Sequence, residues 1–210
     1  MSNELRRGLP PLPERMKWLP IDHRGYPVPY FCATLPDGTR LFNAADAGKR
    51  VKCVRDRLCW ICGEKLGRYL AFMLGPMCAV NRNTGEPACH RDCAVFAAQA
   101  CPFLTLPKSD YRAPVKGSTM APGAIEGNPG ACCVWITETF LPYRAGDTFL
   151  IRVGDPVEVL WYAEGKPATR AQIMESFERR LPLLQEIAKE HGDESALAAQ
   201  VKRTMAILPA

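Results

Sequence analysis

The sequence predicts an α+β fold: a unit of short antiparallel strands around two cysteine-bearing turns, then further strands and a C-terminal helical pair. Three observations carry this. First, 19 of the 210 residues are proline, against a usual share of about 5%. They are spread along the chain, so elements are short and turns many. Second, the last forty residues hold two apolar stripes at helical spacing, which the earlier part lacks. Third, cysteine and histidine recur in pairs with two residues between partners, at Cys59-Trp60-Ile61-Cys62-Gly63 and His90-Arg91-Asp92-Cys93. The apolar fraction of 47% is enough for a buried core without disulfide support.

In chain order, residues 1–20 read as a flexible, proline-rich arm ending at Trp18-Leu19-Pro20. Tyr30 to Leu35 and Arg40 to Phe42 flank Pro36-Asp37-Gly38-Thr39, a hairpin in which proline presets the turn and glycine takes its awkward backbone angle. Leu66 to Val80 is nearly continuous apolar sequence broken at Gly75-Pro76, read as one or two buried strands. Glu86-Pro87 suits a helix start, with the helix running from about Ala88 to Ala100 and stopping at Pro102. Residues 107–130 carry four prolines and four glycines and read as a linker or long loop. Strands resume at Cys132 to Thr139, Thr148 to Val153 and Val157 to Tyr162, with a turn at Glu164-Gly165. Thr169-Arg170-Ala171-Gln172 is a capping box that opens a helix with the stripe Ile173, Phe177, Leu181 and Leu184 and a kink expected at Pro182. Gly192-Asp193 ends it and starts a second helix with the stripe Leu197, Val201, Met205 and Leu208. Core packing is the reading for both stripes. The expected divisions are thus 1–20, 21–106, 107–130 and 131–210.

Two cysteines two residues apart, followed by glycine, form a knuckle that turns both sulfurs toward one point. His90 and Cys93 fall in the first turn of the expected helix, where residues three apart share a face and the positive helix end favours thiolate. Cys59, Cys62, His90 and Cys93 then make a Cys3His tetrahedron of the kind zinc takes in structural sites. A knuckle, intervening strands and a ligand-bearing helix start describe a treble-clef-like unit, and residues 63–89 leave room for its hairpin. Ligand identity stays open at this point: Cys89 can replace His90, and Cys78 can replace either. The other reading is small buried apolar cysteines. Four protein ligands argue for a closed, structural zinc rather than a catalytic one with a position left for water.

Other chemistry is thinly represented. His90 is followed by Arg91-Asp92 and not by the x-Glu of zinc deaminases, and no His-Glu-x-x-His occurs. An HNH-like nuclease built on a treble clef is the alternative enzyme reading, but Asp22-His23 precedes the knuckle instead of following it. Cys132-Cys133 on a strand point to opposite faces, Glu138 and Asp147 read as solvated carboxylates, and Cys101 reads as core. Residues 1–68 hold 13 Lys/Arg against 7 Asp/Glu, while residues 69–210 hold 14 against 15. The excess gathers at Lys49, Arg50, Lys52, Arg55 and Arg57, a set of possible phosphate contacts or a solvated loop face. Neither an apolar leader nor a span of bilayer length occurs, so a cytoplasmic protein with reduced cysteines and no membrane partner is expected.

The string Cys59-Trp60-Ile61-Cys62-Gly63, Leu66-Gly67, Gly75-Pro76-Met77-Cys78, Glu86-Pro87, His90, Cys93 and Cys101-Pro102-Phe103-Leu104 resembles an uncharacterised family of bacterial and bacteriophage zinc-knuckle proteins. The likeness continues through Asn128-Pro129-Gly130 and Gly154-Asp155-Pro156 to Trp161-Tyr162-Ala163-Glu164-Gly165, covering most of residues 10–190. It implies Cys59, Cys62, His90 and Cys93 as the ligand set and a phage or prophage origin, and it carries no activity. The functional expectation is a non-enzymatic zinc protein that binds nucleic acid or another protein.

Overall fold

The computed structural model describes residues 4–106 and 128–209. In order these are a 3-10 turn at Glu14–Met16, β1 (Cys32–Thr34), β2 (Arg40–Ala45), α1 (Ala47–Asp56), β3 (Leu70–Leu74), α2 (Pro76–Asn81), β4 (Asn83–Thr84), α3 (Arg91–Ala100) and α4 (Pro102–Thr105). The second part holds β5 (Cys132–Thr137), β6 (Phe140–Ala145), β7 (Thr148–Val153), β8 (Pro156–Ala163), β9 (Lys166–Pro167), α5 (Arg170–His191) and α6 (Glu194–Met205). The chain is mixed α+β with short antiparallel strands and C-terminal helices, as its sequence predicts. All but the last three residues of the expected 107–130 linker lie outside the described residues.

A sheet in the order β3-β5-β8-β9 forms the centre, and every residue of its strand β5 is buried. Register explains why. Ala71, Ile136 and Glu158 stand side by side on one face, where Arg91 of α3 makes two hydrogen bonds to Glu158 at 2.8 and 2.6 Å. Leu74, Cys133 and Trp161 share the other face, where Trp161 meets Phe177 of α5 with ring centres 6.2 Å apart. A strand covered on both faces has no polar side to present, hence its unbroken apolar sequence. Cys132 and Cys133 do point oppositely, and both are packed thiols.

A second sheet, β4-β7-β6, stands beside it. Strand β6 was not expected, because Pro142 interrupts its apolar pattern; the proline is tolerated because β6 pairs only with β7 and is an edge strand. Helix α1 is fastened to this sheet by Arg50. Its guanidinium donates to Gly85 O at 2.7 Å, Thr148 Oγ1 at 2.9 Å and Phe149 O at 2.5 Å, and lies 4.2 Å over the Phe149 ring.

Three local expectations are corrected. Residues 4–20 are not a free arm: Met16 and Leu19 belong to the core and the Arg6 N–H donates to Gly25 O. Only β3 of the Leu66–Val80 run is a strand. Gly75-Pro76 opens helix α2 with proline at its first turn, where no donor is needed. Helix α3 begins at Arg91 with His90 as N-cap, three residues later than expected. The backbone before it is held extended instead, through the reciprocal hydrogen bonds of Ala71 and Cys89 at 2.9 and 2.7 Å. That single bridge is what remains of the hairpin expected between the knuckle and the helix.

The C-terminal pair matches its sequence pattern. Thr169 and Gln172 form the reciprocal capping box, α5 continues through Pro182 as one helix, and Gly192 ends it in the left-handed region at φ 71°. Ile173, Phe177, Leu184 and Leu208 are buried, while Leu181, Leu197, Val201 and Met205 pack partly against the same core. That core extends from Met16 to Leu208, so the expected division near residue 130 does not separate two cores.

Replacing Arg50 by alanine should lower stability by about 2–3 kcal/mol, the loss of charge-assisted hydrogen bonds to groups left unpaired. Arg50→Lys should recover little, since an ammonium cannot serve three spread acceptors with a planar fork. Denaturant midpoints of the two variants measure this, and an unchanged midpoint for Arg50→Ala would remove the anchor from the account.

Candidate metal centre

The knuckle is shaped by backbone hydrogen bonds. The Cys59 N–H donates to Glu64 O at 2.7 Å, the Gly63 N–H returns to Cys59 O at 2.8 Å, and Leu58 bridges Lys65 across the base. Gly63 has φ 79°, and a Cβ there would lie 2.8 Å from the Tyr30 ring. Glycine is thus required twice, for the backbone angle and for the aromatic neighbour. The Tyr30 N–H donates to Ile61 O at 2.7 Å, the Trp60 N–H to Ala88 O at 3.0 Å, and Trp60 stacks on Phe31. The knuckle is therefore seated against both the chain before it and the approach to α3.

His90 at the N-cap and Cys93 in the first turn of α3 meet this turn from the other side. The ligand atoms of Cys59, Cys62, His90 and Cys93 all lie within 4.8 Å of one another. Tetrahedral zinc with bonds of about 2.1–2.3 Å would set neighbouring ligand atoms about 3.5–3.8 Å apart. The Cys62 Sγ to His90 Nδ1 distance is 3.4 Å. The three cysteines are fully buried and His90 is 8% exposed.

Groups around the four hold them in ligating form. The His90 ring nitrogen Nε2 lies 3.0 Å from Lys65 O. A carbonyl only accepts, so Nε2 keeps its proton. A metal that displaced the proton from Nδ1 would find that nitrogen's lone pair directed toward the sulfurs, as with metal-bound histidines held by a second-shell carbonyl. The sulfur of Cys59 accepts the backbone N–H groups of Cys62 and His90, each at 3.4 Å. Burial pushes the Cys59 thiol up, but hydrogen bonding from Cys62, Cys89, Cys93 and His90 outweighs it and holds Cys59 far below the ordinary thiol range. Cys93 moves the other way, raised first by its hydrogen bonds to Cys59 and Cys62 and then by burial. Burial lowers the His90 imidazole, yet hydrogen bonds to Cys59 and Cys62 raise it to about 10. Without a cation the cluster retains protons on shared electron pairs; a divalent metal satisfies all four donors at once. These residues can hold a metal ion.

Compared with known proteins, the chain matches no family model, no curated protein and no solved structure.

The remaining sequence candidates fall elsewhere. Cys89 lies next to the cluster, with its backbone committed to Ala71, and Cys78 sits on α2 with burial pushing its thiol up to about 12. Neither is in the group of four. His23 is exposed in the Asp22–Tyr26 turn, and the His191 ring Nδ1 lies 2.8 Å from Ile187 O in the last turn of α5. Glu138 pairs with Arg68 at 2.9 Å. Of the basic run, Lys49 donates to Cys32 O at 2.7 Å, Arg50 is the sheet anchor, Arg55 pairs with Asp56, and Arg57 donates to Gly67 O at 3.2 Å. Lys52 is exposed. Sequence reasoning missed Lys65 and Glu64, which act on His90 and Cys59 through their backbone carbonyls and so leave no trace in ligand spacing.

Metal analysis should find about one ion per chain, lost in Cys62→Ser and retained in Cys89→Ser. Retention by the first variant, or loss by the second, would overturn the ligand assignment. Occupancy should also fall with pH. Lower pH returns protons to thiolates and imidazole, so apparent affinity decreases steadily as acid is added. Equilibrium dialysis across about pH 8 to 5 reads this, and a flat profile is incompatible with coordination by cysteine and histidine.

Proposed function

We propose that the chain is a non-enzymatic zinc protein in which the ion is a staple and a surface held rigid by it binds nucleic acid or another protein. The observation that carries this reading is closure: four soft or borderline donors, all buried, leave no position for substrate or an exchangeable water. Three thiolates with one imidazole select zinc over the harder divalent cations, which take oxygen ligands. A knuckle followed by a ligand-bearing helix start is the treble-clef arrangement, here with its hairpin reduced to one bridge. The sequence pattern alone suggests a phage or prophage relationship.

Catalysis finds little support. The nuclease alternative needs a second histidine near the centre, whereas His23 and His191 sit in an exposed turn and a helix end. A groove of about 540 Å³ runs between α1 and the β6–β7 hairpin, lined by Val51, Tyr143, Asp147 and Phe149 among others. It includes no residue of the metal cluster, and its Arg50 is committed to the sheet. For nucleic acid, the support is the net positive charge of residues 1–68. Binding to short DNA or RNA duplexes and single strands should weaken steeply as salt rises. Absent or salt-insensitive binding would direct the function to a protein partner, and a water exchanging on the metal would return the site to catalysis.

A further inference from the structure

We infer that Arg15 is a positioning residue of the metal centre, which clamps the knuckle to the ligand helix from the N-terminal segment. The inference rests on the zinc reading above and concerns what keeps the ion in place. The Arg15 guanidinium reaches both halves of the site: Nε lies 2.9 Å from Asp92 Oδ2, and Nη1 lies 3.7 Å from Glu64 Oε2. Each of those two residues holds the backbone of a ligand. Asp92 accepts the Cys93 N–H on its other oxygen, Oδ1, at 3.0 Å. Glu64 accepts the Cys59 N–H through its carbonyl at 2.7 Å. One cation thus connects the supports of Cys59 and Cys93, adding a side-chain link to the backbone contact of Trp60 with Ala88 and the ring contact of His90 with Lys65 O.

Electrostatics adds a second role for the same group. A divalent ion with three thiolates and a neutral imidazole leaves one net negative charge in a buried place, where an uncompensated charge is costly. Arg15 offsets the Asp92 and Glu64 carboxylates, which would otherwise add to that charge beside the site. Its pKa is raised, chiefly by the hydrogen bond to Asp92, with burial opposing. The neighbouring Met16 and Leu19 are buried in the core, so the arginine is delivered by a seated segment. Metal binding and docking of residues 14–19 are therefore linked, and each favours the other.

The test is the rate at which metal leaves the loaded protein for a chromogenic chelator in excess. Arg15→Gln should release it roughly 3–30-fold faster, toward the low end of the about 10–100-fold typical for loss of an outer-shell partner, because Arg15 acts through Asp92 and Glu64. Arg15→Lys keeps the charge and one donor and should restore most of the wild-type rate. Arg179→Gln removes a comparable exposed pair, with Glu175 on α5, and should leave the rate unchanged. Asp92→Asn combined with Arg15→Gln should add little beyond the larger single effect, because the two act as one unit. Wild-type release by Arg15→Gln, or equal acceleration by Arg179→Gln, overturns the inference while leaving the zinc reading intact. A wild-type chain that takes up no metal overturns both.

Discussion

Four polar side chains from two stretches of chain, separated by residues 63–89, are buried against one another at Cys59, Cys62, His90 and Cys93. Neutral thiols bury readily, but thiolates and an imidazole gathered this closely carry a desolvation cost that a shared metal ion would repay. The surrounding architecture depends on that meeting. The knuckle receives the Tyr30 N–H through Ile61 O and donates from Trp60 to Ala88 O. It therefore ties the chain before β1 to the chain entering α3. Helix α3 then covers one face of the central sheet, and its N-terminus carries His90 and Cys93 of the cluster.

Strand β5 shows how far this constraint propagates. It is paired on both edges, by β3 and β8, and covered on both faces, by α3 and by the α2–α5 side. The face toward α3 is thus referenced to the metal centre, while the opposite face is packed by the C-terminal helices. Thr204 on α6 reaches back to Ala79 O of α2 at 3.5 Å, which closes that layer. The N-terminal metal unit and the C-terminal strands consequently share one core. They do not fold as a module beside a module, because β3 from the first is an edge of the sheet whose middle comes from the second.

What was legible in the sequence follows the range of the physics involved. Knuckle spacing, the capping box at Thr169 and the apolar stripes of α5 are local patterns, and each predicts what the structure contains. The run Leu66–Val80 was harder. A short apolar stretch has no period that separates a buried strand from a buried helix turn, and Pro76 at a first helical position reads like a break. His90 as N-cap was obscured by Glu86-Pro87, whose helix-start chemistry is sound but is overruled by the bridge of Cys89 to Ala71. The grip of Arg15 on Asp92, 77 residues away, has no local signal. A basic residue in a proline-rich segment looks solvated until the core places Met16 and Leu19.

The clustering of positive charge before residue 68 has a structural explanation that does not require a phosphate. Loop-rich chain around a knuckle exposes carbonyl groups that no ladder or helix satisfies, and buried acceptors need donors. Lysine and arginine bring several donors on long stems. Here Lys49 donates to Cys32 O, Arg50 to Gly85 O and Phe149 O, Arg57 to Gly67 O and Lys65 to Asp56 O. Arg15 faces the acidic residues that brace the cluster. Much of the basic excess is therefore committed to holding irregular backbone and pairing with nearby carboxylates. A partner that recognises this region by charge must use cations such as Lys52, exposed on α1 and outside those contacts.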